Sequence, residues 1–118
     1  MFLNDLFSIV KLTSTTETIS ADIKIDSNHR VFEGHFPGSP VTPGVIQLQI
    51  VKEILEDCLQ RKLTLKNMKT SKFLQVINPK ETPVVHFEIK FVQSEFLDVV
   101  ATGTSGGLAF LKTQISYL

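Results

Sequence analysis

From residue 32 to residue 60 the chain reads FEGHFPGSPVTPGV (32–45) and then IQLQIVKEILEDCLQ (46–60). The first part holds three of the five prolines and three of the six glycines, a density that neither a helix nor a central strand tolerates. The second part has neither residue type, and its apolar side chains follow a helical spacing. The sequence therefore predicts a shaped loop that leads into one long helix over residues 45–60.

The apolar positions of this helix cover more than half of its circumference, which is typical of a largely enclosed helix. They are Val45, Ile46, Leu48, Ile50, Val51, Ile54, Leu55, Cys58 and Leu59. Most of the polar side chains share the remaining arc, namely Gln49, Lys52, Glu53, Glu56 and Gln60, while Gln47 and Asp57 lie outside it. A solvated glutamine without a role is therefore one interpretation of Gln49.

Alternating apolar and polar residues on both sides of the helix predict strands. They fall within residues 7–25 and over 63–74, 84–92, 96–104 and 108–117, with a hairpin turn at Ser105-Gly106-Gly107. We predict an antiparallel meander for the C-terminal half and an α+β fold, an antiparallel sheet wrapped around one long central helix. A sheet that covers only one side of this helix leaves apolar surface open, so we expect a dimer.

The composition limits the classes of function. Twelve basic residues balance twelve acidic ones, so no net charge attracts nucleic acid or an anionic membrane. We expect one domain over residues 1–118, without a signal peptide or membrane span and located in the cytoplasm. The single cysteine, Cys58, excludes an intramolecular disulfide. Neither His29 nor His86 has a partner at metal-ligand spacing, so we expect no metal and no cofactor.

Residues 34–45 carry the most specific signal. All twelve positions resemble the G-H-F-P-x-x-P-V-x-P-G-V signature of FabZ-type β-hydroxyacyl-acyl-carrier-protein dehydratases. Lys72-Phe73 followed by Asn78-Pro79 is similar to that family's Arg-Phe strand end and proline-bearing turn, and Gln47-Leu48 is similar to the branch found in aryl-polyene pigment clusters. The resemblance implies a hot-dog fold, a carrier-protein-bound acyl thioester as substrate, and a homodimer, alone or as a trimer of dimers.

The resemblance also implies roles for individual residues. His35 becomes the catalytic base. Because Gly44 stands at the predicted helix N-terminus, we expect its backbone N–H to polarise the thioester carbonyl. Gln49 stands fourteen positions after the histidine, where the family has Glu or Asp. The expected contacts to substrate are Phe36, Pro37, Val45 and Phe73.

The glutamine matters because dehydration of a 3-hydroxyacyl thioester normally uses a carboxylic acid to protonate the leaving hydroxyl, and an amide has no such proton. One explanation lets His35 return its proton to the leaving group while Gln49 orients the hydroxyl. In the other, Glu53 or Glu33 substitutes as the acid. We favour the first, because neither carboxylate stands at the family's position.

Three functions remain open. The chain is either an active dehydratase, weakened at position 49, or a catalytically silent acyl-binding subunit that pairs with an active partner. An acyl thioesterase on the same fold is the third possibility, although it needs a water-activating group that the sequence does not identify. Residue 49 discriminates between the first two.

Overall fold

The structure is a computed structural model that describes residues 1–33 and 41–118. In these residues the elements run, in chain order, β1 (Phe7–Ser14), β2 (Thr18–Ile25), a 3-10 turn (Arg30–Phe32), α1 (Gly44–Leu59), β3 (Leu65–Phe73), β4 (Val84–Gln93), β5 (Leu97–Ser105) and β6 (Leu108–Tyr117). The strand region expected within residues 7–25 is an antiparallel hairpin of two strands. The predicted helix and the four later strands are confirmed to within two residues at either end.

The strands form one sheet in the order β1-β2-β4-β5-β6-β3, and each neighbouring pair is antiparallel. The predicted meander is confirmed for β4, β5 and β6. It is wrong for β3, which pairs with β6 at the edge of the sheet rather than with β4. Alternation of side chains identifies a strand but not its neighbour, so the sequence pattern does not locate β3.

One face of the sheet packs on α1. In β4, for example, Val85, Phe87, Ile89 and Phe91 are buried while the intervening side chains remain at least partly accessible. The helix contributes Ile50, Val51, Ile54 and Leu55, all of them fully buried. The predicted α+β architecture, a hot-dog arrangement of a sheet around a central helix, is confirmed.

The helical wheel predicts the wrong burial for one apolar residue and one charged residue of α1. Val45, an apolar position, is 71% exposed in the first turn of α1, whereas Glu53, on the polar arc, is 0% exposed. The reason for the second error is that the N-terminal residues Phe2 and Leu3 lie against the polar arc and bind Glu53 through their backbone N–H groups. A wheel describes one helix and contains no information about a distant segment that covers it.

Candidate active site

The first turn of α1 provides backbone donors. Pro43 is the N-cap in an extended conformation, and its carbonyl oxygen accepts hydrogen bonds from the N–H groups of Ile46 and Gln47, each at 3.1 Å. The N–H groups of Gly44 and Val45 precede the first hydrogen bond of the helix, so they have no acceptor within it. Such a terminus carries a partial positive charge and suits the carbonyl oxygen of a bound thioester.

Phe73, at the end of β3, lies over Gly44. A Cβ atom at position 44 would be only 2.7 Å from Cζ of the Phe73 ring, and this ring is 48% exposed. The structure therefore brings together two of the residues that the sequence assigns to the site. This contact gives a reason for glycine at this position, because any side chain would have to displace the ring.

Gln49 lies one turn into the helix and is partly buried. Its amide nitrogen Nε2 donates a hydrogen bond to Oε2 of Glu53 at 2.9 Å. Glu53 in turn accepts the backbone N–H groups of Phe2 and Leu3 on Oε1, both at 2.8 Å, and Phe2 also reaches Oε2 at 3.0 Å. Gln49 is thus tied into a polar cluster, and the interpretation of it as a freely solvated side chain is wrong.

The same contacts argue against Glu53 as a substitute acid. Both of its carboxylate oxygens accept N–H groups, and the residue has no exposed surface through which substrate would reach it. Glu33, the other carboxylate considered, is exposed at the end of the 3-10 turn, where its backbone N–H donates to the Arg30 carbonyl. The choice between Glu33 and an elimination without a carboxylic acid stays a prediction, because His35 lies outside the described residues.

Gln47 is a polar residue that the sequence did not single out for the site. It is 3% exposed, and its Nε2 donates to the Thr42 carbonyl oxygen at 3.0 Å. Among the described residues neither Gln47 Oε1 nor Thr42 Oγ1 has a hydrogen-bond partner, although both atoms are buried. The sequence feature that could have identified Gln47 is its place outside the polar arc of the helix. Through its bond to Thr42, Gln47 links the start of α1 to the chain that precedes it.

Three predicted site residues, His35, Phe36 and Pro37, lie outside the described residues. Their assignments therefore stay predictions. Of the other four, Gly44, Val45 and Gln49 lie on the first two turns of α1, and Phe73 contacts Gly44 from β3.

Cys58 and His29 are further titratable residues in the described part of the chain. Burial and then the charge of Asp57 raise the pKa of the Cys58 thiol, which keeps it protonated and weakly nucleophilic at neutral pH. His29 accepts the Val31 N–H on Nδ1 and pairs with Asp5 through Nε2, each at 3.0 Å.

Within residues 1–33 and 41–118, no three His, Cys, Asp or Glu side chains are grouped to hold a metal ion. No helix in these ranges is long and apolar enough to cross a membrane.

Comparison with known proteins identifies the family. The model of the ApeI-like family, described as ApeI dehydratase, matches residues 11–104. The chain belongs to the ApeI-like dehydratase family. The resemblance to FabZ-type dehydratases seen in residues 34–45 is thereby confirmed.

Curated relatives of this ApeI-like chain include two 3-hydroxyacyl-[acyl-carrier-protein] dehydratases named FabZ. The protein of Latilactobacillus sakei subsp. sakei (strain 23K) is 31% identical over 86 residues, which cover 67% of this chain and 59% of the relative. That of Chlamydia trachomatis serovar L2 is 24% identical over 119 residues, covering 93% of this chain and 78% of the relative. The chain therefore spans less than two thirds of the first relative's length.

Two solved structures share the fold. The dehydratase heterocomplex ApeI:P from Xenorhabdus doucetiae matches with a TM-score of 0.75 at 17% identity, covering 92% of this chain and 95% of that one. An uncharacterized protein from Erwinia carotovora subsp. atroseptica matches with a TM-score of 0.68 at 22% identity, covering 93% and 91% of the two chains. Both likenesses support the hot-dog fold of the ApeI-like chain.

Proposed function

We propose that this ApeI-like chain is a (3R)-3-hydroxyacyl-[acyl-carrier-protein] dehydratase, a hydro-lyase that forms the trans-2-enoyl thioester in fatty acid or related polyene biosynthesis. The observation that carries the proposal is the first turn of α1, where the Gly44 N–H has no acceptor within the helix and Phe73 lies over Gly44. Gln49, held by Glu53, lies on the next turn, at the position of the family's carboxylate. Family membership supplies the class of reaction.

The proposed reaction uses three groups. His35 removes a proton from C2 of the substrate, and the Gly44 N–H stabilises the negative charge that develops on the thioester oxygen. The electron pair left on C2 forms the C2–C3 double bond as the C3–O bond breaks. The proton held by His35 then passes to the leaving hydroxide and gives water. Gln49 orients the hydroxyl and transfers no proton.

The proposed assembly is a homodimer, or a trimer of dimers, that receives its substrate on an acyl carrier protein in the cytoplasm. It requires neither nucleic acid nor a membrane. Support comes from the edge strand β3, whose outer side has no neighbour among the described strands. Near it, Val45, Leu74 and Val76 are between 49% and 72% exposed. A second copy would cover this apolar surface and pair with the open edge.

One observation favours the second candidate, a catalytically silent acyl-binding subunit that needs an active partner. Gln49 cannot protonate the leaving group, and Glu53 next to it is enclosed. The solved ApeI:P dehydratase from Xenorhabdus doucetiae is a heterocomplex, in keeping with such a division of labour. A thioesterase has no comparable support, because no described carboxylate is accessible next to Gly44 and Gln49.

Turnover of a 3-hydroxyacyl-carrier-protein substrate, followed by formation of the enoyl product, distinguishes the candidates. The dehydratase proposal predicts that the wild type turns over, that His35→Ala abolishes turnover, and that Gln49→Glu accelerates it by about 10² through general acid catalysis. The carboxyl introduced at position 49 would lie beside the Glu53 carboxylate, and two adjacent carboxyls hold a proton between them.

The matched control is Gln60→Glu, which makes the same change at an exposed glutamine at the end of the helix. It is expected to leave turnover unchanged. An inert wild type that gains activity only through Gln49→Glu would replace the dehydratase proposal with the silent-subunit candidate.

A further inference from the structure

Glu53 is a buried carboxylate that the proposed reaction does not use. It lies four residues after Gln49, so both side chains project from the same face of α1, one turn apart. Its three donors are the Gln49 amide and the backbone N–H groups of Phe2 and Leu3. The partners of this buried carboxylate therefore come from its own helix and from the N-terminal segment. Together they restrict how the Gln49 amide can be oriented.

We propose that Glu53 is a positioning residue that fixes the Gln49 amide with its nitrogen inward, so that the carbonyl oxygen Oε1 is the atom presented to the acyl substrate. This inference rests on the proposed dehydratase function, in which Gln49 orients the substrate hydroxyl. It goes further by assigning the direction of that hydrogen bond: Gln49 accepts and the substrate donates.

The orientation follows from the chemistry of the two side chains. A carboxylate oxygen only accepts hydrogen bonds, so the amide has to offer its NH₂ group to Glu53 and not its carbonyl. The backbone N–H groups of Phe2 and Leu3 hold the carboxylate in place, and the absence of exposed surface excludes water as a competing partner. The nitrogen and the oxygen of an amide are bonded to the same planar carbon and point to different sides of it, so fixing the nitrogen also fixes the oxygen.

An acceptor at this position suits elimination without a carboxylic acid. When the 3-hydroxyl donates its hydrogen to Gln49 Oε1, the lone pairs of the hydroxyl oxygen turn away from the glutamine. They are then available to accept the proton that the base removed from C2. A donor at the same position would occupy one of these lone pairs and compete with that proton.

The test first replaces the Glu53 carboxylate with an amide and then exchanges the carboxylate and the amide between positions 53 and 49. In Glu53→Gln the new carbonyl oxygen can still accept the Phe2 and Leu3 N–H groups, and its NH₂ group then replaces Oε2 opposite Gln49. Two NH₂ groups cannot bond to each other, so the Gln49 amide has to turn over. The double variant Gln49→Glu/Glu53→Gln restores a donor–acceptor pair with the same hydrogen bonds and an acceptor facing the substrate.

Glu56→Gln is the matched control. Glu56 is also a helix glutamate that binds a backbone N–H, that of Leu63 at 2.8 Å, and it does not contact Gln49. We expect Glu53→Gln to lower kcat about tenfold with little change in KM. A change of this size corresponds to the loss of one hydrogen bond in the transition state. The double variant should recover at least the wild-type kcat, and Glu56→Gln should resemble the wild type.

A second measurement reads the amide without turnover. In ¹H–¹⁵N spectra of the full chain, the Gln49 NH₂ signals, assigned by their loss in Gln49→Ala, should shift strongly in Glu53→Gln and stay in place in Glu56→Gln. Unmoved signals, or a Glu53→Gln variant with the kcat of the wild type, would overturn the positioning role. If the signals shift as expected but the wild type forms no enoyl product, the positioning of the amide stands and the dehydratase function fails.

Discussion

Two glycines in the described part of the chain lie beneath phenylalanine rings, Gly103 in the core and Gly44 at the candidate site. A Cβ atom would be 2.5 Å from the Phe110 ring at Gly103, in β5, and 2.7 Å from the Phe73 ring at Gly44. The rings differ in freedom. Phe110 is 1% exposed, whereas Phe73 is 48% exposed. The same local contact is thus fixed in the core and adjustable at the site.

Phe110 is held from a second side as well. Its ring packs edge-on against that of Phe87, with the centroids 5.7 Å apart and an angle of 85° between the planes. A ring in a close-packed interior moves only if its neighbours move with it. Phe73 has solvent on one side, so it can rotate away from Gly44 without disturbing the core. The candidate site therefore lies where tight packing ends.

The largest effect is expected at the core glycine. Gly103→Ala places a methyl group against a ring that cannot withdraw, and such overpacking costs about 3 kcal/mol of the free energy of unfolding. Urea unfolding followed by circular dichroism measures this loss. A loss below about 0.5 kcal/mol would mean that Phe110 moves as easily as Phe73, and the contrast between the two regions would disappear.

A smaller effect on stability is expected at the site. Gly44→Ala should cost about 1 kcal/mol or less, because the half-exposed Phe73 ring can turn into solvent. Turnover should nevertheless fall, since both the ring and the backbone approach to the Gly44 N–H change.

A double-mutant cycle with Phe73→Ala isolates the ring contact. In the Phe73→Ala background, Gly44→Ala should no longer reduce stability. If the cost persists in that background, the glycine is required for a reason other than the ring.

The smallest effect is expected on the exposed outer face of the sheet, at His86. Its ring nitrogens contact Asp22 at 2.7 Å and Glu88 at 3.1 Å. Partial burial by itself lowers the pKa of His86, but the hydrogen bonds and charges of the two carboxylates outweigh burial, and the pKa is raised above its ordinary 6.5. Protonated His86 therefore stabilises the folded state below about pH 6.5, and this contribution is lost as the pH rises through the raised pKa.

The comparison of unfolding midpoints across pH for the wild type and His86→Gln measures that contribution. The wild type should be more stable on the acid side, and the two curves should converge on the alkaline side. Asp22→Asn serves as the control, because it removes one carboxylate and should weaken the same pH dependence. A stabilisation by His86 that grows with rising pH would contradict the raised pKa.

Side-chain alternation and helical spacing were sufficient to predict most of the secondary structure. The β4 pattern, for instance, has Val85, Phe87, Ile89 and Phe91 on one face, and this face is the buried one. Such periodicity is a local property, because a strand or helix must bury one side wherever it lies. The family signature in residues 34–45 likewise needs no knowledge of the fold, and it led to the dehydratase family that the comparisons confirm.

The position of β3 beside β6, the burial of Glu53 and the contact of Phe73 with Gly44 were decided only by the tertiary structure. Each depends on residues far apart in the chain: Phe2 and Glu53, for example, are 51 positions apart and meet through a hydrogen bond of 2.8 Å. A local pattern records what each segment tends to form and which side it tends to bury. Which distant segment then covers that side, and which polar atoms it satisfies, is fixed only when the whole chain packs.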